Sequence, residues 1–311
     1  MATTLNSTGV LFPGGTQRTT ALSYNYRNRA IFGYGYSSAV LSMTNQVSNT
    51  GVVSLDYTGV GSGRWGLAAA GYGGDKAIFG YGILSSLALT SLTNLVSNTG
   101  VVSADVTGVG TARYLLAAAG YGGDKAIFGY GYTTAAVSLT NLVTNTGVVQ
   151  SDVTSLGTAR ERLAAAGYGG DKAIFGYGYT GAAVSMTNLV TNLGVVQSDV
   201  AGVGTARSAL AAAGYGGDKA IFGFGTTGSF SSLTNLVTNL GVVQSDVTGV
   251  GTARSGLAAA GYGGDKAIFG FGTTGSNVSL TNLVSNTGVV ATDTTGVGTA
   301  RGFLAAAGYS S

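Results

Sequence analysis

Residues 253–282 read ARSGLAAAGYGGDKAIFGFGTTGSNVSLTN. The core of this stretch, LAAAGYGGDKAIFG, occurs word for word five times, beginning at Leu67, Leu116, Leu163, Leu210 and Leu257. Each copy sets two apolar runs on either side of Gly-Gly-Asp-Lys. Gly and Asp tolerate the positive φ that tight hairpin turns demand, so the pattern predicts a hairpin. The second run alternates, with Ala77, Phe79 and Tyr81 expected on one side and Ile78, Gly80 and Gly82 on the other. That two-residue period belongs to a strand.

Working outward, AIFG recurs at Ala30, Ala77, Ala126, Ala173, Ala220 and Ala267, at spacings of 47, 49, 47, 47 and 47. A period of this length with several strands per unit points to propeller blades, because strand solenoids have shorter repeats. In the third unit the candidate strands are 115–121, 125–130, 138–144 and 148–153. The turn Asn145-Thr146-Gly147 joins the last two, and a long loop over 154–160 leads onward. Four short strands per repeat without a helical stripe predict an all-β fold, a β-propeller of four-stranded blades. The segment from AIFG to AAAGY is complete six times, at 30–72, 77–121, 126–168, 173–215, 220–262 and 267–309. The count gives six blades, with the strand 303–309 completing the blade begun at Arg29 and so removing exposed sheet edges. Seven blades, the last built from 1–17 and 301–311, is the alternative, and it is short of strands. The chain thus divides into an N-terminal arm, 1–27, and a propeller, 28–311.

Composition narrows the chemistry. Charged residues make up 9% of the chain, against roughly a quarter in ordinary globular proteins. With 55 Gly, such a composition suits close-packed sheets, and equally a silk-like fibre. The formal charge of +3 is spread over the repeats with no basic stripe, so no nucleic-acid partner is expected. There is no Cys and no His, which excludes disulfides, zinc sites of the usual kind and His-dependent nucleophilic triads. No metal or organic cofactor is expected. No apolar run has the length of a membrane span, and the opening MATTLNSTG is not expected to act as a signal peptide.

Three sets of polar residues repeat. Asp and Arg recur eight residues apart as Asp56/Arg64, Asp105/Arg113, Asp152/Arg160, Asp199/Arg207, Asp246/Arg254 and Asp293/Arg301. A site needed once is rarely present in every unit, whereas an architectural fastener must be. These pairs are therefore expected to link neighbouring blades, paired because a lone buried charge is costly. Asp75-Lys76, Asp124-Lys125, Asp171-Lys172, Asp218-Lys219 and Asp265-Lys266 occupy the hairpin turns. Their plainer role is turn formation; as a charged rim beside Tyr72, Tyr121, Tyr168, Tyr215 and Tyr262, they are also the candidate ligand contacts. Thr-Asn pairs ending at Asn94, Asn141, Asn188, Asn235 and Asn282 sit in the third strand. Asn is a poor strand former, so its repetition predicts a fixed hydrogen bond. The GYG and GFG segments are not followed by a strand-to-helix turn and are not read as phosphate loops.

Two resemblances bear on function. Arg113, the run 115–120 and Ile127-Phe128-Gly129-Tyr130-Gly131 resemble a kelch repeat, and similar matches fill most of the chain. The glycines that are paired in kelch units are here split by Tyr or Phe, and the late Trp is missing. Near the N-terminus, Gly9-Val10-Leu11-Phe12-Pro13-Gly14-Gly15-Thr16-Gln17-Arg18-Thr19-Thr20-Ala21 resembles a segment recurrent in tail-fibre and other structural proteins of tailed bacteriophages. It departs at Gly14, where Asp is usual, and at Arg18. The plainer reading of that stretch is two strands about a Pro-Gly turn. The resemblances imply a non-enzymatic structural and binding protein of a phage virion: a tail fibre, appendage or surface protein. Its N-terminal segment would meet other virion proteins, and its propeller would meet a host-surface glycan or protein. The alternative is a secreted, lectin-like propeller with sugar sites repeated between blades. A copper oxidase of the galactose-oxidase kind, which also has kelch-like repeats, would need the absent His and Cys.

Overall fold

The computed structural model describes residues 28–310 together with three short strands, Leu5–Asn6, Gly9–Leu11 and Gln17–Arg18. Those three pair antiparallel, with Leu5 opposite Val10 and Leu11 opposite Gln17. Pro13 and the rest of the expected arm lie outside the described residues.

All regular secondary structure among the described residues is strand. Each Gly-Gly-Asp-Lys word folds as the expected hairpin. In the third unit the strand Ala117–Tyr121 runs antiparallel to Lys125–Gly129, with Tyr121 opposite Lys125 at the turn and Ala117 opposite Gly129 at the far end. The turn needs its glycines, because Gly122 and Gly123 sit at φ 61° and 80°, where a side chain is strained. A third strand, Leu139–Val143, pairs with the other edge of Lys125–Gly129 and places Phe128 opposite Asn141. The same sheet of an AAAGY, an AIFG and a Thr-Asn strand occurs six times. In one of the six the AAAGY strand is Ala305–Tyr309 and its partner is Arg29–Tyr36, with Tyr309 opposite Arg29 and Ala305 opposite Gly33. These repeated small antiparallel sheets define an all-β, β-propeller-like architecture.

Two local expectations are corrected. The alternation of the AIFG strand stops at its last Gly. Tyr81 and Gly82 take φ of 66° and 106°, and in the two sheets where the strand continues, the register shifts between Gly33 and Gly35 and between Gly176 and Gly178. Such a bulge inserts one residue and reverses the facing of the residues beyond it. Tyr81 therefore packs with Ile78 and not with Ala77 and Phe79. The fourth strand is also reduced. In the third unit only Val153–Thr154 is strand, and elsewhere the outer segment touches the Thr-Asn strand through isolated bridges such as Val190–Val196 and Thr187–Val200. The outer segment thus takes one more residue than the Thr-Asn strand to cover the same span, and the Asn side chain fills the mismatch: Asn188 Nδ2 donates to the Gln197 carbonyl at 2.9 Å.

Both faces of each sheet are buried. Ala117, Ala119, Tyr121, Ile127 and Tyr130 of one sheet meet Leu163, Ala173, Phe175, Val190 and Val196 of the next. The same sets recur at every junction, including that of Ala305, Ala307, Tyr309, Ile31 and Tyr34 with Leu67, Ala77, Phe79 and Val96. Burying a side chain of this size is worth about 1.5–3 kcal/mol, so the junctions hold the fold. The AIFG word has a steric meaning at these junctions. Phe175 lies so close over Gly129 of the neighbouring sheet that a Cβ there would stand 2.6 Å from its ring. Phe79 lies over Gly33 and Phe32 over Gly270 in the same way.

Candidate functional site

The six repeated Arg side chains, from Arg64 to Arg301, are completely buried. Arg113 shows why they are tolerated there. Its Nε donates to the Tyr130 carbonyl at 2.8 Å, Nη1 to the Thr111 carbonyl at 3.1 Å and Nη2 to Asn141 Oδ1 at 2.7 Å. The guanidinium lies 4.4 Å from the ring centre of Tyr81 in the neighbouring sheet, a cation–π contact. Asn141 in turn donates to Asp152 Oδ1 at 2.9 Å, which is the fixed hydrogen bond expected of the Thr-Asn pairs.

The ion pair is not the one eight residues upstream. Arg113 Nη1 is 3.8 Å from Asp152, Arg160 is 3.8 Å from Asp199, Arg254 is 3.8 Å from Asp293, and Arg64 is 3.4 Å from Asp105. Arg301 pairs with Asp56 at 3.9 Å, and Arg207 donates to Asn235 Oδ1. Arg113 and Asp152 serve the same sheet, because the Arg enters beside the AAAGY strand and the Asp leaves beside the Thr-Asn strand. Asp105 and Arg113 instead flank the loop between sheets. Fastening between sheets comes from two other contacts. The crossing loop is gripped by a carboxylate, since Thr111 donates its amide at 2.9 Å and its hydroxyl at 2.6 Å to Asp152. The Arg itself stacks on the neighbour's aromatic ring. Sequence reasoning missed these rings, Tyr34, Tyr81, Tyr130, Tyr177, Phe224 and Phe271. Their signal was the aromatic that recurs between the glycines of GYG and GFG.

Titration follows this geometry. Partial burial pushes the Asp152 carboxyl up, but the hydroxyl and amide of Thr111, the Asn141 amide and Arg113 outweigh it and hold it below the usual carboxylate range. Burial draws Arg254 and Arg301 down to about 10, against the pull of Asp293 and Asp56, so both remain charged near neutrality. Burial raises the Tyr34 and Tyr81 phenols to about 12.

The Asp-Lys turns gather around the mouth of a cavity of about 740 Å³. Its wall is mostly glycine backbone, with Asp124, Asp171, Lys172, Lys219 and Lys266 at the rim. Each Lys is held by the Asp before it: 2.7 Å for Asp75/Lys76, 3.2 Å for Asp124/Lys125, 2.8 Å for Asp171/Lys172, 2.7 Å for Asp218/Lys219 and 2.9 Å for Asp265/Lys266. Asn28-Arg29 takes the sixth place. Self-neutralised pairs give the mouth alternating donors and acceptors rather than a field of one sign. The tyrosines beside it are buried: Tyr121 is 4% exposed and packs between sheets. Neighbouring turns are bonded to one another, as when Gly122 N donates to the Asp171 carbonyl at 2.7 Å and Ser310 N to the Asp75 carbonyl at 3.0 Å.

The molecule so described is a repetitive β-propeller-like protein with a polar, glycine-walled cavity at one end. No known family model matches the chain, and no characterised protein matches it.

Proposed function

We propose that the chain is a six-bladed β-propeller acting as a non-enzymatic attachment protein of a tailed-phage particle. Several contacts run round the molecule in the same cyclic order and support the blade count. The strand Ala305–Tyr309 pairs with Arg29–Tyr36, and it also lies beside both Ala258–Tyr262 and Ala68–Tyr72. The Phe-on-Gly contacts pass from sheet to sheet and return, Phe32 resting on Gly270.

One observation carries the functional reading: the buried charges are spent on architecture, whereas the polar groups within reach of a partner, the Asp-Lys pairs, stand on exposed turns. Arg113, Arg160, Arg254 and Arg301 each make three hydrogen bonds within the scaffold. The Asp-Lys rim is solvent-accessible, with Lys172 and Asp171 side chains 44% and 41% exposed. A rigid body with decorated faces suits adhesion. The resemblance of residues 9–21 to phage structural proteins supplies the setting, with that segment meeting other virion proteins. Peptides of this chain in purified particles of its phage, together with binding of the purified protein to host cells, would bear the proposal out. Its absence from the particles, alongside export of the free protein, would favour the secreted lectin-like reading.

A further inference from the structure

The repeats agree almost everywhere, so the places where they disagree can be located on the fold. After each buried Arg the next two residues are Trp65-Gly66, Tyr114-Leu115, Glu161-Arg162, Ser208-Ala209, Ser255-Gly256 and Gly302-Phe303. Each pair precedes an AAAGY strand whose other end carries the Gly-Gly-Asp-Lys turn, so all six lie at the end opposite the Asp-Lys rim. They share one backbone geometry. Gly66, Leu115, Arg162, Ala209, Gly256 and Phe303 have φ between 51° and 62°. They form a closed ring of hydrogen bonds, from Leu115 N to Gly66 O at 2.7 Å round to Gly66 N to Phe303 O at 2.8 Å. The scaffold is constant; only the side chains it displays differ.

Exposure alone does not explain that divergence. Val52, Val101, Val148, Val195, Val242 and Val289 are 57–67% exposed in the outer turns, yet all six repeats keep Val there. At the diverged end the ring-to-ring contacts gather around Trp65 and Tyr114. The chain's single Trp, Trp65, meets Tyr114 at 5.5 Å, Phe303 at 5.7 Å and Tyr36 at 6.4 Å between ring centres, and Tyr114 meets Tyr132 at 5.9 Å. Next along the ring stand Glu161 and Arg162, paired at 3.5 Å, with the guanidinium 5.7 Å from the Tyr179 ring centre. Tyr36 is 42% exposed and the Arg162 side chain 43%, while the Glu161 carboxylate side is nearly covered. Of the other pairs, Ser208-Ala209 and Ser255-Gly256 are small, with Phe230, 42% exposed, standing apart from the cluster in the Ser208 sector.

We infer that this arc is a single saccharide-binding site, with Trp65 and Tyr114 as stacking surfaces and Arg162 as the hydrogen-bonding cation. The side chains that meet Trp65 tilted or edge-on are aromatic rings, several with a hydroxyl, beside a charged pair. Rings present flat apolar faces to sugar C–H groups, and the guanidinium and phenols supply directional donors for hydroxyls or a carboxylate. Leu87, 74% exposed on the hairpin whose strand Ile83–Leu84 pairs with Arg64–Trp65, adds an aliphatic edge to the arc. This rests on the attachment reading above but places recognition on the opposite end from the rim.

The chain itself provides the substitutions: Trp65→Ser reproduces Ser255-Gly256, and Arg162→Ala made together with Glu161→Ser reproduces Ser208-Ala209. The test is a printed array of bacterial surface polysaccharides, followed by Trp fluorescence titration with the best-bound oligosaccharide. Wild type should bind and shift Trp65 emission, while Trp65→Ser, read by calorimetry, and Glu161→Ser/Arg162→Ala should bind roughly tenfold or more weakly while still unfolding cooperatively. Equal affinity in both variants overturns the inference, as does loss confined to a variant with Lys125, Lys172 and Lys219 all changed to Ala. So does cell binding through a protein receptor that survives removal of surface polysaccharide; the attachment reading would then stand without this site. If the wild type binds neither the array nor host cells, both readings fall.

Discussion

At the scale of single residues, Arg113 and its copies matter most. Removing one member of a buried polar set leaves the others unpaired in a low-dielectric interior, at a cost of about 3–5 kcal/mol. Arg113→Ala would strand Asn141 Oδ1 and the carbonyls of Tyr130 and Thr111, and take the cation off Tyr81. A fall in melting temperature of many degrees is expected, with Arg113→Lys also destabilising because an ammonium cannot span three acceptors held in a fork. A melting curve equal to wild type would refute the fastening role. The carboxylates give a pH signature. Asp56, Asp105, Asp152, Asp199, Asp246 and Asp293 are held below their ordinary value of 3.8 by Thr or Ser and Asn donors and by Arg, against partial burial. A lowered folded pKa stabilises above the unfolded pKa and is lost as pH falls through the folded one. Melting temperature should therefore be flat down to about pH 4 and drop below it. The Tyr34 and Tyr81 phenols, raised to about 12 by burial, work in the opposite sense: their contribution is intact below pH 10 and disappears between about 10 and 12.

At the scale of elements, the last glycine of AIFG is fixed by its neighbour's phenylalanine rather than by its own backbone. Gly129 lies within a regular strand, so an Ala there is locally harmless; the obstacle is the Phe175 ring, 2.6 Å from the added Cβ. Overpacking of this kind costs about 1–3 kcal/mol. Gly129→Ala should lower stability by that amount in a denaturant titration, and shrinking the ring in Gly129→Ala/Phe175→Leu should recover part of it. If the double variant shows no recovery, the contact is not what excludes the methyl group. The bulge after the same glycine places Tyr or Phe at positive φ, a conformation costing about 1–3 kcal/mol, which is held by stacking under the Arg.

At the scale of the whole molecule, the ends of the chain decide the outcome. If the six sheets form a closed ring, Ala305–Tyr309 is the innermost strand of the sheet that begins at Arg29, and without it Ile31 and Tyr34 lose their covering partners. Deleting residues 302–311 should produce aggregation or loss of cooperative unfolding. Deleting residues 1–17 should leave the six sheets folded, because among the described residues their pairing begins at Asn28 and Arg29. The reverse outcome would place the N-terminal segment inside the ring and rule out this closure.

The repeat period, the hairpin at Gly-Gly-Asp-Lys, the all-β class and the structural role of the Asn were legible in the sequence, because each rests on local backbone chemistry or on periodicity. The fourth strand and the facing of Tyr81 were misjudged, because a bulge is set by the residues a strand meets and not by the strand's own pattern. The partner of each Arg was decided only in three dimensions. Asp105 is nearer in sequence, but the sheet carries the outer segment back beside its own first strand and brings Asp152 to Arg113. The aromatic arc was equally hidden: Tyr36, Trp65, Tyr114 and Phe303 are scattered over the chain, and only the packing of one sheet beside the next gathers them at one end.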